Sequence, residues 1–359
     1  MTNPTPMFEL IKTLTEIPGP TGQEERVHEW CANHWNDLAE DVQITQVGNV
    51  VARVGGEGPP LIVLAHGDEL GLIVKSVTKN GLLHIWPARR DVAGRPAYWY
   101  NPVNSPVTVL ADDGDVDGQL TYASGHVVGG ANKKQSFDWN DWFVDIGYSS
   151  RADVEALGIH PGTRLVVNVP TRRLGDTIIG KAMDDRAPIA IATSLAERVD
   201  LSAINYELWI GSTIQEENGL LGASSIPDVH EFSYGVALDV GLCGDVPGTD
   251  TANHPAKLRH GPIVVHQDSS VNYSARMCRA FVDAARARDI PVQQAVYQNY
   301  GSDGAELIRR GIETILMTMP TRYTHSPNEM VTEADCIACV DLLISFLEAT
   351  PLPPRWPKH

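Results

Sequence analysis

The chain has 359 residues, of which 43% are hydrophobic and 20% charged, and its net charge is −17. That length allows two domains, or one large domain with an insertion, and the even spread of apolar residues leaves no long segment for disorder. The negative charge argues against nucleic acid and anionic membrane as partners, because both would meet a repelling field. No apolar run approaches the ~18 residues needed to span a bilayer.

The start, MTNPTPMFELIKTL, lacks a basic stretch followed by an apolar core and a small-residue cleavage site. The five cysteines, Cys31, Cys243, Cys278, Cys336 and Cys339, form no regular framework. Reduced thiols in a cytoplasmic protein are therefore expected. Cys336 and Cys339 make a CxxC, but it lies in the helical pattern ADCIACVDLLISF with no second pair to complete a zinc site, so both read as buried structural thiols.

In chain order, MFELIKTLTEI and TGQEERVHEWCANHW read as helices, the second with Thr21 and Glu24 at capping-box spacing. VVARV, PLIVLA, GLIVKSV and LLHIW are β-branched runs broken by Gly, Pro and Asn, and read as strands. Residues 78–173 hold short strand-like pieces and turn residues with hardly any helical periodicity, as in a small β domain. Within them DDGDVDG imitates a calcium loop through Asp113, Asp115 and Asp117, but Ser124 stands where a bidentate Glu is needed, and an acidic hairpin turn is expected. Trp86, Tyr98, Trp99, Tyr100, Trp139 and Trp142 could wall a substrate, meet another subunit, or fill the core of that domain.

From Asp176 onward strands and helices alternate: DRAPIAIATSLAERV, YELWIGSTI, YGVALDV, GPIVVH, SVNYSARMCRAFVDAARARD, VQQAVYQ, GAELIRRG, ETILMTM and EADCIACVDLLISFLEA. The pattern predicts a discontinuous α/β domain, residues 1–77 and 174–359, with a mixed sheet covered by helices and interrupted by the inserted, barrel-like β domain.

Polar residues recur where apolar strands stop: His66, Asp68 and Glu69 after LIVLA, Glu216 and Glu217 after ELWIGSTIQ, Asp239 after YGVAL, and His325 after ILMTMPTRYT. Ligands of open α/β sheets bind outside the carboxyl ends of strands, so one cleft could collect them all. Two imidazoles and several carboxylates suit Zn²⁺, Co²⁺ or Mn²⁺.

HGDELG at 66–71, GKAMDDRA at 180–187, QEENGLLGA at 215–223, ALDVG at 237–241, GSDGAE at 301–306 and THSPNEM at 324–330 resemble, in order, the motifs of the M42 aminopeptidases. The resemblance implies a zinc-exopeptidase-like α/β fold, two divalent ions per subunit, and a homo-oligomer ranging from a dimer to a tetrahedral dodecamer. It makes His66 a ligand of one ion, His325 of the other, Asp184 the bridge, and Glu217 and Asp239 single-ion ligands. Glu216 becomes the general base acting on metal-bound water, and Asp68 orients the His66 ring. Ser302 and Asp303 become candidates for positioning a peptide substrate, with a helix N-cap as their other reading. It also implies a cis peptide between Asp184 and Asp185, while Asp185 itself is expected to cap the following helix or bond Arg186.

Each role has a physical reason. A ligating His normally donates its second N–H to an outer carboxylate, for which HxD spacing is suitable. Three carboxylates against two divalent ions leave one positive charge for a hydroxide and a developing oxyanion. The sequence also departs from the family: Pro188 stands in place of Gly, Gly67 where a methionine-like residue is usual, and RRDVAGRPAYWYNPVNSP replaces the segment after the HxDE strand. The implied activity is removal of N-terminal residues from peptides. A deacylase of small N-acyl compounds uses the same chemistry, whereas a glycosidase leaves both histidines idle and a non-catalytic assembly protein leaves a full ligand set unused.

Overall fold

A computed structural model describes residues 4–89, 100–128, 138–353 and 355. The chain opens with helices α1 (Met7–Glu16) and α2 (Glu25–Trp35) and strands β1 (Asp41–Ile44), β2 (Val50–Gly55) and β3 (Pro60–His66). The expected capping box does not form. Thr21 Oγ1 donates to the Glu69 carbonyl, and the Glu24 carboxylate accepts from the Gly22 and Gln215 amides, so both side chains serve long-range contacts instead of the helix end.

Six strands then close a barrel in the order β4 (Leu72–Val77), β5 (Leu83–Pro87), β8 (Trp142–Asp145), β7 (Gly114–Tyr122), β6 (Pro106–Ala111) and β9 (Arg164–Val167). It therefore begins at Leu72. Alternate residues such as Leu83 and Ile85, or Val107 and Val109, point inward and form the barrel's own core. Closure removes the unpaired edges that so small a sheet would otherwise expose. Tyr100, Trp139 and Trp142 belong to this core, with Trp139 and Trp142 meeting edge to face at 4.6 Å. Tyr98 and Trp99 lie outside the described residues. The acidic DDGDVDG begins with the β6–β7 hairpin turn at Asp112 and Asp113 and runs on into β7, where Asp115 pairs with Arg26 of α2 at 2.7 Å.

After a short helix α3 (Arg151–Glu155), strands β10 (Arg172–Leu174) and β11 (Thr177–Gly180) lead into α4 (Met183–Arg198). The remaining elements are β12 (Glu207–Thr213), β13 (Tyr234–Leu242), β14 (Ile263–Gln267), α5 (Ala275–Ala287), β15 (Gln293–Val296), α6 (Gly304–Arg309), β16 (Glu313–Thr321), β17 (Glu329–Thr332) and α7 (Glu333–Glu348). The main sheet runs β1-β2-β12-β3-β13-β16-β14-β15, and β10-β11-β17 form a small separate sheet.

In the middle of the main sheet, β12, β3, β13 and β16 are neighbours and mutually parallel. Their carboxyl ends therefore emerge on one side. Helices α1, α4, α5 and α7 bury residues such as Leu61 and Val63 on one face, and Leu307 of α6 with Ile226 and Phe232 buries Ile62 and Leu64 on the other, which is why these strands read as continuous hydrophobic runs. Cys336 and Cys339 are fully buried in α7, as structural thiols should be. No described helix is long and apolar enough to cross a membrane.

The candidate active site and metal centre

His66 is the last residue of β3, Asp239 lies within β13, Glu216 and Glu217 follow just beyond β12, and His325 follows β16. Parallel pairing of these strands brings four separated segments to one rim. Asp184 and Asp185 arrive from the opposite wall, at the distorted start of α4, where neither has helical dihedral angles and the peptide between them is cis. Regular helix begins after them, so Pro188 falls in its first turn, where no backbone donor is lost.

Two ligand groups result. His66, Asp184, Asp185 and Asp239 present donor atoms within 4.8 Å of one another, and so do Asp184, Glu217 and His325. Asp184 belongs to both. Its Oδ1 lies 3.0 Å from His66 Nε2, and its Oδ2 lies 3.3 Å from His325 Nε2. Glu216 Oε2 lies 3.9 Å from His66 Nε2. Asp68 sits behind His66, with its carbonyl 3.1 Å and its Oδ1 3.3 Å from Nδ1, and its carboxylate also accepts the amides of Glu216 and Glu217. Asp185 takes neither expected role. Its Oδ2 accepts the His66 amide at 2.9 Å, while Arg186 points away to the carbonyls of Leu14, Ile17 and Gly19.

Charge in this cluster is far from balanced by ordinary solvation. Burial pushes the Glu216 carboxyl well above its usual range, with Asp239 and Glu217 adding to the effect against the pull of His66. Burial and Asp184 raise Asp239 to about 7. Asp184 moves the other way, because His325 and His66 more than offset its burial. A set of packed carboxylates with two imidazoles, and a buried Glu217 Oε1 that lacks a hydrogen-bond partner, fits divalent cations coordinated by N and O donors.

Ser302 and Asp303 are buried just before α6, and Asp303 accepts a hydrogen bond from Thr213. That bond ties Asp303 to the last residue of β12. The pocket is lined by Asp184, Glu217, His325 and Glu329 together with Tyr100 and Val167 of the barrel.

A family model described as M42 glutamyl aminopeptidase matches residues 48–342. The chain belongs to the M42 peptidases. FrvX of Escherichia coli (strain K12), provisionally named an aminopeptidase, is 28% identical over 346 residues, covering 95% of this chain and 94% of FrvX. The TET aminopeptidase of a marine sediment archaeon, Thaumarchaeota archaeon SCGC AB-539-E09, superposes with a TM-score of 0.89 at 27% identity, over 95% of this chain and 96% of that one. The TET1 peptidase of Pyrococcus horikoshii, which can assemble into a tetrahedron or a large octahedral shell, superposes at 0.83 with 26% identity, over 95% and 99% of the two chains. As an M42 member the chain is a metal-dependent aminopeptidase that works with divalent cations.

Some M42-site residues escaped sequence reasoning. Glu329 accepts the Asp184 amide at 3.0 Å and the His325 amide at 2.7 Å, tying the two ligand segments together, and burial with Asp184 raises it to about 8. Its signal was the Glu of THSPNEM. Lys181 pairs with Glu69 at 2.6 Å in a buried bridge that holds the HGDELG and GKAMDD segments side by side. Ala182, Gln215 and His325 carry positive φ angles of 52°, 48° and 59°. Three of the segments entering the site thus hold left-handed residues other than glycine, at a cost of order 1–3 kcal/mol each that the packed surroundings must offset.

Proposed function

We propose that this peptidase removes N-terminal residues from peptides with two divalent ions, held by His66, Asp184 and Asp239 and by Asp184, Glu217 and His325. The observation that carries the reading is the Asp184 carboxylate, whose two oxygens face different histidines at 3.0 and 3.3 Å. Zn²⁺ and Co²⁺ suit this donor set, and Mn²⁺ also matches it. When bound, such ions supply Lewis acidity that polarises a scissile carbonyl and acidifies water.

The chain's own residues supply the rest. Glu216, whose Oε2 lies 3.9 Å from His66 Nε2, accepts a proton from water and delivers it to the leaving amine. Asp68 fixes the His66 ring and, through two amides, the backbone carrying Glu216 and Glu217. Membership of the M42 family favours a peptide over an N-acyl compound as the substrate.

The M42 shells support a homo-oligomer, dimer to dodecamer, in which the barrel that begins with β4 at Leu72 and ends with β9 at Val167 forms the assembly or access domain, and the segments on either side of it the catalytic one. Five free cysteines, four of them buried, support a cytoplasmic setting. The test is a screen of aminoacyl-anilides against N-acetylated amino acids after chelation and reconstitution with Zn²⁺, Co²⁺ or Mn²⁺. Cleavage confined to the blocked compounds, or no recovery with any ion, defeats the reading.

A further inference from the structure

Arg89 lies just past the end of β5, on the barrel side of the site, and opens the RRDVAGRPAYWYNPVNSP stretch in which this sequence departs from its family. Its Nη1 hydrogen-bonds Glu217 Oε2 and stands 3.3 Å from His325 Nε2. Those are two of the three residues in the second ligand group, and the side chain of Arg89 is 22% exposed, so it reaches them from the pocket rim.

We propose that Arg89 sets the affinity of the Glu217–His325 cation position and holds it below that of the His66–Asp239 position. The inference rests on the two-ion reading above. A guanidinium keeps its charge at every pH the folded protein meets, so it cannot make room by losing a proton. An ion bonded to Glu217 and His325 must either displace Arg89 from Glu217 Oε2 or bind through Oε1 alone, with a fixed positive charge a few ångströms away. Oε1 is buried without a hydrogen-bond partner and is the oxygen open to coordination.

Around His66, at the first position, stand Asp68, Asp184, Asp185, Asp239 and Glu216, all acids. The buried cations closest in sequence to its ligands, Lys181 and Arg186, lie against Glu69 at 2.6 and 3.6 Å. The two positions share Asp184, but the second, beside which Glu329 also stands, has a guanidinium bonded to one of its ligands. Ions therefore fill in order, the His66–Asp239 position first.

The experiment uses the full-length protein stripped by chelation and titrated with Mn²⁺ or Zn²⁺ in a calorimeter, with metal content counted by mass spectrometry. Wild type is expected to bind two ions in separate affinity classes. R89Q removes the charge and tightens the weaker class by roughly tenfold or more while leaving the tighter class unchanged. R89K retains the charge and keeps the weaker class weak. Two ions bound by both wild type and R89Q, with the weaker class unmoved or loosened in R89Q, would overturn the role of Arg89. A capacity of one ion in every variant defeats the two-ion reading itself, and this proposal with it.

Discussion

The Asp68 carboxylate accepts the backbone amide of Glu216 at 2.9 Å. It also stands 3.3 Å from the Nδ1 of His66, so one side chain positions both a ligand ring and the base. Asp68→Asn puts an amide donor where one of these contacts needs an acceptor. Metal affinity and kcat are each expected to fall roughly 10- to 100-fold, the range for groups that orient metal ligands. Calorimetric metal titration together with steady-state kinetics measures both.

Glu216 is not needed to hold either ligand group together. Glu216→Gln should therefore retain its metal and lose about 10²- to 10⁴-fold in kcat, the contribution of a positioned proton-transfer group. Metal analysis of the purified variant alongside its kinetics checks the pairing, and near-normal turnover would remove Glu216 from the mechanism.

Glu24 and His28, one helical turn apart, are expected to give opposing pH slopes of stability. Burial and Asp68 raise Glu24 from 4.5 to about 7, so the folded chain holds an extra proton between those values and stability falls as pH rises through that window. Burial lowers His28 from 6.5 to about 4, so the unfolded chain holds the extra proton there and stability falls as pH drops through that window. The slopes offset each other in wild type where the windows overlap. Melting temperatures across pH 4–7 should show steeper acid destabilisation in Glu24→Gln and steeper loss toward neutrality in His28→Gln.

Gly67 owes its identity to the same histidine. A Cβ built at position 67 would fall 2.1 Å from His28 Nε2 and 2.9 Å from Ser212 Oγ. The imidazole, bonded to the Gly48 carbonyl and to Ser212, thus takes space that a larger residue after His66 would need. Gly67→Ala should cost about 1–3 kcal/mol by overpacking. Combined with His28→Ala the two losses should not add, which a double-mutant cycle of unfolding free energies would reveal.

Much of the fold could be read from linear pattern. Strands buried on both faces appear as unbroken apolar runs, and PLIVLA, YGVAL and ILMTM each end where a polar residue meets the rim. Residues whose signal is a distant partner were harder to read. Nothing near Arg89 announces Glu217, and nothing near Gly67 announces His28. Thr21 and Glu24 looked like a local cap because the competing partners, Glu69 and Gln215, are remote in sequence.

The sequence by itself determined the donors: which histidines and carboxylates close the parallel strands, and the order in which the chain presents them. Only the tertiary structure decided which of them share a position. His66 and Asp184 are 118 residues apart yet 3.0 Å from each other, and Arg89 and His325 are 236 residues apart yet 3.3 Å from each other. Side-chain chemistry is a local property of the chain, whereas the distances that let two oxygens of one aspartate face two imidazoles are set by strand order and helix packing, to which residues throughout the core contribute.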